Sequence, residues 1–121
     1  MPFAAWAPEY RGQQGLIMTA EDFRQVALGM PNATEGLHRR HPDFRVNNKV
    51  FATLGYPGAG WGMVKLTPEQ QEMLVSAEPD IFKPATGAWG RRGSTLVLLE
   101  ATDRSTALSA LGMARDNVGA K

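Results

Sequence analysis

One stretch of the chain decides its fold: residues 43–54, with the sequence DFRVNNKVFATL. Polar and apolar residues alternate from Asp43 to Val46, which is typical of a strand with one buried face. Asn47 and Asn48 then form a turn pair that tolerates positive φ, and a second strand follows over residues 49–54. The stretch therefore predicts an antiparallel hairpin in the middle of the chain.

The residues after this hairpin predict a third strand and then a helix. A Gly- and Pro-rich loop over residues 55–60 leads into an apolar run over residues 61–66. Short connections between three strands favour an antiparallel meander. Thr67 is a typical N-cap, Pro68 suits the first helical position, and Gln70 stands at N3, so a helix begins here and ends before Pro79.

A first helix is predicted before the hairpin, over residues 20–30. Thr19 is its N-cap and Asp22 stands where a capping-box acid belongs. Its apolar face has helical spacing, and Pro31 ends it. The face consists of Phe23, Val26, Ala27 and Met30.

The C-terminal third predicts two further strands and a last helix. A short strand is expected over residues 88–90 and a buried strand over residues 95–99. Thr102 or Asp103 caps the final helix. Its predicted core face consists of Ala107, Leu108, Leu111, Ala114 and Val118.

The element order is thus α-β(3)-α-β(2)-α, which predicts an α+β fold: a two-layer α/β sandwich with an antiparallel sheet and the helices on one face. The 121 residues suit one domain, which we place over residues 18–121. Residues 1–17 have no clear period and are interpreted as a loosely ordered N-terminal extension. The alternative is an arm that packs Phe3, Trp6 or Tyr10 onto a partner.

Composition excludes several classes of function. The chain has no cysteine, which excludes thiol catalysis and zinc-thiolate sites. It has neither a signal peptide nor an apolar run long enough to cross a membrane, so a cytoplasmic protein is expected. The formal net charge of +1 is close to neutral and does not by itself indicate a nucleic-acid partner.

Several blocks of sequence together resemble the MmcQ/YjbR-like family. They are residues 34–36 (TEG), 42–46 (PDFRV), 49–54 (KVFATL), 65–70 (KLTPEQ) and 87–91 (GAWGR). The resemblance extends from about Met18 to Met113. It implies a compact two-layer α/β domain of the same element order, in a bacterial, cytoplasmic and mostly uncharacterised protein. It also implies DNA binding, suggested for the family from hairpins that project like wings. Residues 1–17 and the short C-terminal helix, which lacks an aromatic residue, depart from the family pattern.

No catalytic constellation stands out. His38 and His41 lie near Glu35 and Asp43, but alternation along a strand would place His38 on the face opposite His41, so no metal site is expected. Glu69 and Glu72 lie on one helix face and are interpreted as solvated surface. The glycines at 58, 60 and 62 join two strands and lack the lysine of a phosphate-binding loop. We expect no enzyme, no metal and no cofactor.

Charge is distributed unevenly along the chain. Residues 34–49 contain Arg39, Arg40, Arg45 and Lys49 against two acids, residues 82–94 contain three cations and no acid, and residues 66–82 contain four acids and no base. If the two basic segments meet in space, they form a surface for DNA phosphates. The second half of that surface would consist of Trp89, Arg91 and Arg92, with Trp89 stacking on a base.

A second hypothesis keeps the same loop but changes the ligand. The segment over residues 82–92 is long and rich in Pro and Gly, and loops of this kind often hold a binding site. Arg91 and Lys65 would then bind a small anion, or the loop would bind a protein partner, without catalysis. A concave pocket would favour this hypothesis, whereas a convex ridge of cations would favour DNA.

Overall fold

The computed structural model describes residues 18–38 and 40–119. The predicted extension over residues 1–17 therefore lies outside the described residues. The elements are α1 (Ala20–Leu28), β1 (Thr34–His38), β2 (His41–Val46), β3 (Lys49–Leu54), β4 (Trp61–Lys65), α2 (Pro68–Ala77), β5 (Phe82–Pro84), α3 (Gly87–Arg91), β6 (Ser94–Leu98) and α4 (Arg104–Gly119), with a 3₁₀ turn over Leu99–Ala101 before α4.

The predicted central hairpin is confirmed as β2 and β3. Val46 pairs with Lys49 across a two-residue turn, and Asn47 and Asn48 both adopt positive φ, at 53° and 66°. These angles suit the primed turn that matches the twist of the strands. The register shifts between Phe44 and Arg45, which leaves Phe51 without a partner in the ladder. Phe51 is nevertheless fully buried in the core.

Both predicted capping boxes are confirmed. The Thr19 hydroxyl accepts from the Asp22 backbone N–H at 3.0 Å, and the Asp22 carboxylate accepts from the Thr19 N–H at 3.0 Å. Thr67 and Gln70 form the same reciprocal pair at the start of α2. Each box satisfies two backbone donors that a helix start otherwise leaves unpaired.

The fold is α+β, with an antiparallel six-stranded sheet in the order β1-β2-β3-β4-β6-β5. Helices α1 and α4 pack against one face and bury the main core there. Phe23 of α1 meets Phe44 of β2 edge to face, with ring centroids 6.4 Å apart, and Leu111 of α4 is fully buried. Because α4 contacts three neighbouring strands, it fixes the helical layer on this face.

The predicted element order is wrong in three places, one of which is β5, a strand over Phe82–Pro84 where none was predicted. The structure has an additional first strand, β1, so four strands precede α2. Its sequence TEGLH lacks an alternating buried face, and its apolar residue Leu37 is 69% exposed. The short strand predicted over residues 88–90 is instead the helix α3. Helix α3 has little more than one turn, so its sequence is too short to show the apolar spacing of a helix.

The predicted core face of α4 is correct except at one position. Ala107, Leu111 and Ala114 are buried and Val118 packs against the core, but Leu108 is 52% exposed and Ala110 is buried instead. Ala110 lies at i+3 from Ala107 and therefore on the buried stripe of the helix. Leu108 directly follows Ala107 and lies off this stripe.

The two edges of the sheet differ. At the outer edge of β5, Pro84 has no backbone N–H, and the N–H of Phe82 already donates to Glu78 O at 3.0 Å. The backbone N–H of Ala85 donates to Ser94 O on β6. Because backbone N–H groups alternate in direction along a strand, the N–H of Lys83 also points toward β6 and not toward the outer edge. At the other edge, β1 pairs with β2 along its five residues and has no second neighbour among the described strands.

Candidate ligand-binding site

The face of the sheet away from α1 and α4 has its own buried apolar side chains. Residues paired directly across antiparallel strands share a face, and Thr53, Met63, Leu96 and Lys83 form one such row across β3, β4, β6 and β5. Met63 and Leu96 are about 5% exposed or less, yet neither belongs to the helix-side core cluster. A second, smaller apolar layer therefore lies on this face.

A groove of about 430 Å³ lies over this layer. Met63 and Thr53 come from the sheet, Tyr56 comes from the loop after β3, and Trp89 comes from α3. Trp89 is 59% exposed and Tyr56 is 49% exposed, which is high for aromatic side chains. The residues that line it include His41, Thr53, Tyr56, Met63, Thr86 and Trp89.

Helix α3 is held in place by hydrogen bonds and by one close backbone approach. The Gln71 side-chain amide donates to Gly90 O at 3.0 Å and to Ser94 O at 2.9 Å, which joins α2 to both ends of the turn after α3. A side chain at Gly90 would overlap the carbonyl oxygen of Ala85. The absence of a Cβ thus allows α3 to fold back on the segment before it, and this sets the position of Trp89.

Trp89 also lines a second pocket, of about 280 Å³. Lys65 from the end of β4 and Arg92 from the end of α3 lie at this pocket. Both side chains are exposed, and among the described residues neither takes part in an ion pair. It is lined by Lys65, Leu66, Trp89, Arg92 and Ser94. Trp89 is therefore shared by a largely apolar groove and a cationic pocket.

Beside the groove, β2 carries a buried ion pair. The Arg45 guanidinium donates to both carboxylate oxygens of Asp43, at 2.8 and 3.0 Å, and the Asp43 side chain is 1% exposed. These hydrogen bonds raise the pKa of Arg45 further above its already high ordinary value. On the same strand, the His41 ring meets Tyr56 edge to face at 6.5 Å and supports the rim of the groove.

The structure separates the residues predicted for a DNA surface. Arg40 lies in the turn before β2 with φ of 70°, whereas Lys49 lies after β2 at the opposite end of the sheet. Arg45 is engaged with Asp43, and Arg39 lies outside the described residues. Within the first basic segment, Arg40 and Lys49 thus lie at opposite ends of β2.

Three of the predicted site residues come together: Lys65, Trp89 and Arg92. Arg91 is exposed on α3 but lines neither pocket. Sequence reasoning missed His41, Thr53 and Tyr56 as lining residues and Gln71 as a positioning residue. Alternation along β3 and β4 would have placed Thr53 and Met63 on one face, but nothing in the sequence indicated that α3 covers that face.

The expected geometry of the histidines needs correction. Alternation along one strand predicts that His38 and His41 lie on opposite faces, but a turn separates them and the two residues pair directly across β1 and β2. Within the described ranges, no group of three His, Asp or Glu side chains is arranged to hold a metal ion.

No helix in the described part of the chain is long and apolar enough to cross a bilayer.

Comparison with known proteins identifies the family. A crystal structure of Deinococcus radiodurans protein DR2400, whose family-model domain is DUF419, is similar over 78% of this chain and 74% of that chain, with a TM-score of 0.63 and 20% identity. At this identity the likeness shows the fold alone. No curated protein matches the chain. The YjbR family model matches residues 28–113, well over half of the chain, and the chain therefore belongs to the YjbR family.

Proposed function

We propose that this protein is a non-catalytic binding module for an organic anion. The flat, apolar part of the ligand lies in the groove between Tyr56 and Trp89, and its charged group lies at Lys65 and Arg92. One observation carries the proposal: Trp89 lines both the apolar groove and the cationic pocket. A single ligand that spans Trp89 would use both.

The size and lining of the groove support this proposal. Small-molecule sites are typically concave, about 300–1,000 Å³ in volume and mostly apolar, with a few polar groups that orient the ligand. The groove lies within this range. The segment that forms one wall is the loop over residues 82–92, for which the sequence already suggested a small-anion site.

A duplex-DNA surface has less support. Such a surface needs several cations in register with the phosphates. Here Arg45 is held by Asp43, and Arg40 lies at the end of the sheet opposite Lys49. Lys65 and Arg92 lie together at a concave pocket, which fits a small anion better than a duplex.

Titration with anilinonaphthalene sulfonate, a flat aromatic anion whose fluorescence rises in apolar sites, tests the proposal. We expect saturable binding of the dye, with a lower affinity in Trp89→Ala. The Lys65→Ala, Arg92→Ala double variant should also bind more weakly than the wild type. This difference in affinity should grow as the salt concentration is lowered, because the charge contribution grows at low ionic strength. Arg91→Ala is the matched control, since it removes a neighbouring cation outside both pockets.

The contrary result is equally clear. If wild-type protein and Trp89→Ala bind the dye with the same affinity, the groove is not the binding site. Circular dichroism and urea unfolding of each variant ensure that the dye reports on the folded protein and not on exposed core.

A further inference from the structure

We propose that the ligand of this site is a nucleotide, with its base in the groove and its phosphate at Lys65 and Arg92. This inference rests on the proposed function and narrows the ligand to one chemical class. Three observations carry it: polar side chains that line the groove, two exposed aromatic side chains at the groove, and a cationic pocket that shares Trp89 with the groove.

Polar side chains interrupt the apolar lining of the groove. Thr53 from the sheet, Thr86 from the start of α3 and His41 from β2 line the groove, and each has a side chain that can form hydrogen bonds. Each hydroxyl both donates and accepts, and a neutral imidazole has one donor and one acceptor. A hydrocarbon ring would remove these groups from water without replacing their hydrogen bonds. A nucleobase carries donors and acceptors along its edge and satisfies them.

The aromatic rims suit a flat base. Trp89 and Tyr56 line the same groove and keep about half or more of their surface exposed. A single exposed aromatic side chain is ordinary, but exposed apolar side chains that lie together at a groove are typical of a binding site. Bases stack on such rings whatever their sequence, because every base has a π-face.

The two cations lie where the phosphate group of a nucleotide would lie if its base occupied the groove. Lys65 and Arg92 line a pocket that also reaches Trp89, together with Ser94, which is 7% exposed. Charged donors of this kind bind phosphate oxygens strongly. In a nucleotide, base and phosphate are joined through one sugar, so a base beside Trp89 carries its phosphate toward these side chains.

Two sources supply this chemistry: a free nucleotide and an unpaired nucleotide of a single strand. A paired base in a duplex is stacked between its neighbours and has to leave the stack before it enters a groove. The site is therefore expected to prefer mononucleotides or single strands to duplex DNA of the same composition.

Calorimetric titration of the full chain distinguishes these ligands. The probes are 5′-nucleoside monophosphates, the matching nucleosides, ribose 5-phosphate, a short single strand and its duplex. We expect saturable binding of the monophosphates, weaker binding of the nucleosides and of ribose phosphate, and stronger binding of the single strand than of the duplex. Equal affinity for a monophosphate and for ribose phosphate would overturn the inference, since the base would then contribute nothing.

Variants assign the two halves of the ligand. Trp89→Ala is expected to weaken monophosphate binding by about 5- to 150-fold, the range found for loss of base stacking. The Lys65→Ala, Arg92→Ala double variant is expected to weaken monophosphate binding but to leave nucleoside binding unchanged. Arg91→Ala is the control and should bind as the wild type does.

Thr53→Val separates this inference from the proposed function. The substitution keeps the shape but removes the hydroxyl, so it should weaken the monophosphate and leave the aromatic sulfonate unaffected. If the sulfonate binds in a Trp89-dependent manner and no nucleotide binds, the nucleotide inference fails while the anion-binding module stands. If neither binds, both proposals fail.

Discussion

The bidentate pair between Asp43 and Arg45 places a carboxylate in the sheet with almost no access to water. Arg45 keeps 31% of its side chain exposed, so the pair is buried from the Asp43 side only. The same two side chains fill the space above Gly36 of β1, where a Cβ would lie 2.7 Å from Asp43 Oδ1. The absence of a side chain at Gly36 thus makes room for the ion pair.

Removal of Arg45 should be more harmful than removal of both partners. Arg45→Met leaves an unpaired buried carboxylate, and we expect a loss of about 2–4 kcal/mol in the free energy of unfolding. The Asp43→Asn, Arg45→Met double variant removes the charge and should recover part of that loss. Urea denaturation measures both. A double variant less stable than Arg45→Met would show that the carboxylate is satisfied by other groups.

Gly90 determines where Trp89 stands, so its substitution should affect binding and stability together. Gly90→Ala forces the backbone away from the Ala85 carbonyl, and overpacking of this kind typically costs about 1–3 kcal/mol. We also expect weaker binding of the aromatic sulfonate. Gly112→Ala is the control, because no atom lies within 4 Å of the added Cβ. In a helix interior it should stabilise by about 0.5–1 kcal/mol.

At the scale of single elements, the two capping boxes differ in charge. Asp22 closes the box of α1 with a carboxylate, whereas Gln70 closes that of α2 with an amide. The backbone N–H of Thr19 is the main cause that lowers the pKa of Asp22 below its usual value of 3.8. A lowered pKa means that the charged form stabilises the fold, and that this contribution is lost as the pH falls.

The stability of α1 should therefore depend on pH in a way that Asp22→Asn removes. Above about pH 5 the wild type keeps the full contribution, and Asp22→Asn should be less stable by about 0.5–1 kcal/mol. As the pH falls through 3.8 and below, Asp22 becomes protonated and the difference should shrink toward zero. Thermal unfolding of both proteins between pH 3 and pH 7 measures it. A difference that stays constant with pH would contradict the assignment.

Elements whose signals lie in adjacent residues could be predicted from the sequence. Elements that depend on contacts with residues distant in the sequence could not. The boxes at Thr19 and Thr67 and the Asn47–Asn48 turn are written in adjacent residues, so their helices and hairpin follow from the sequence. Strand β1 exists because it pairs with β2, and its residues bury no periodic face. Helix α3 depends on Gly90 approaching Ala85 and on Gln71, nineteen residues away. The site shares this dependence, which is why Lys65, Trp89 and Arg92 were foreseen but His41, Thr53 and Tyr56 were not.

At the scale of the whole molecule, one face of the sheet carries the main core and the other carries the candidate binding site. The main core lies between the sheet and α1 with α4, whereas the candidate site lies on the other face. Substitutions on the two faces should thus have different consequences, although both faces share the same strands.

Leu111→Ala and Tyr56→Ala test this separation. Leu111 is fully buried, and its truncation should cost about 2–5 kcal/mol in the free energy of unfolding with unchanged ligand affinity in the folded protein. Tyr56 is half-exposed, and its truncation should change stability by about 0.5 kcal/mol or less while binding weakens. Urea denaturation and dye titration give the two quantities. A loss of stability in Tyr56→Ala comparable to that in Leu111→Ala would contradict the division between the faces.

The unequal edges of the sheet restrict the symmetry with which copies of this chain can associate through their strands. A repeating head-to-tail assembly would place β1 of one copy against β5 of the next, but the outer side of β5 has no free donor, because Pro84 lacks an N–H and Phe82 has used its own. The remaining possibility is that β1 of one copy pairs with β1 of a second copy. This pairing gives a two-fold symmetric dimer, which cannot be extended by further copies in the same way. Along the sheet edges, the chain is thus protected against fibre growth by a proline and one hydrogen bond.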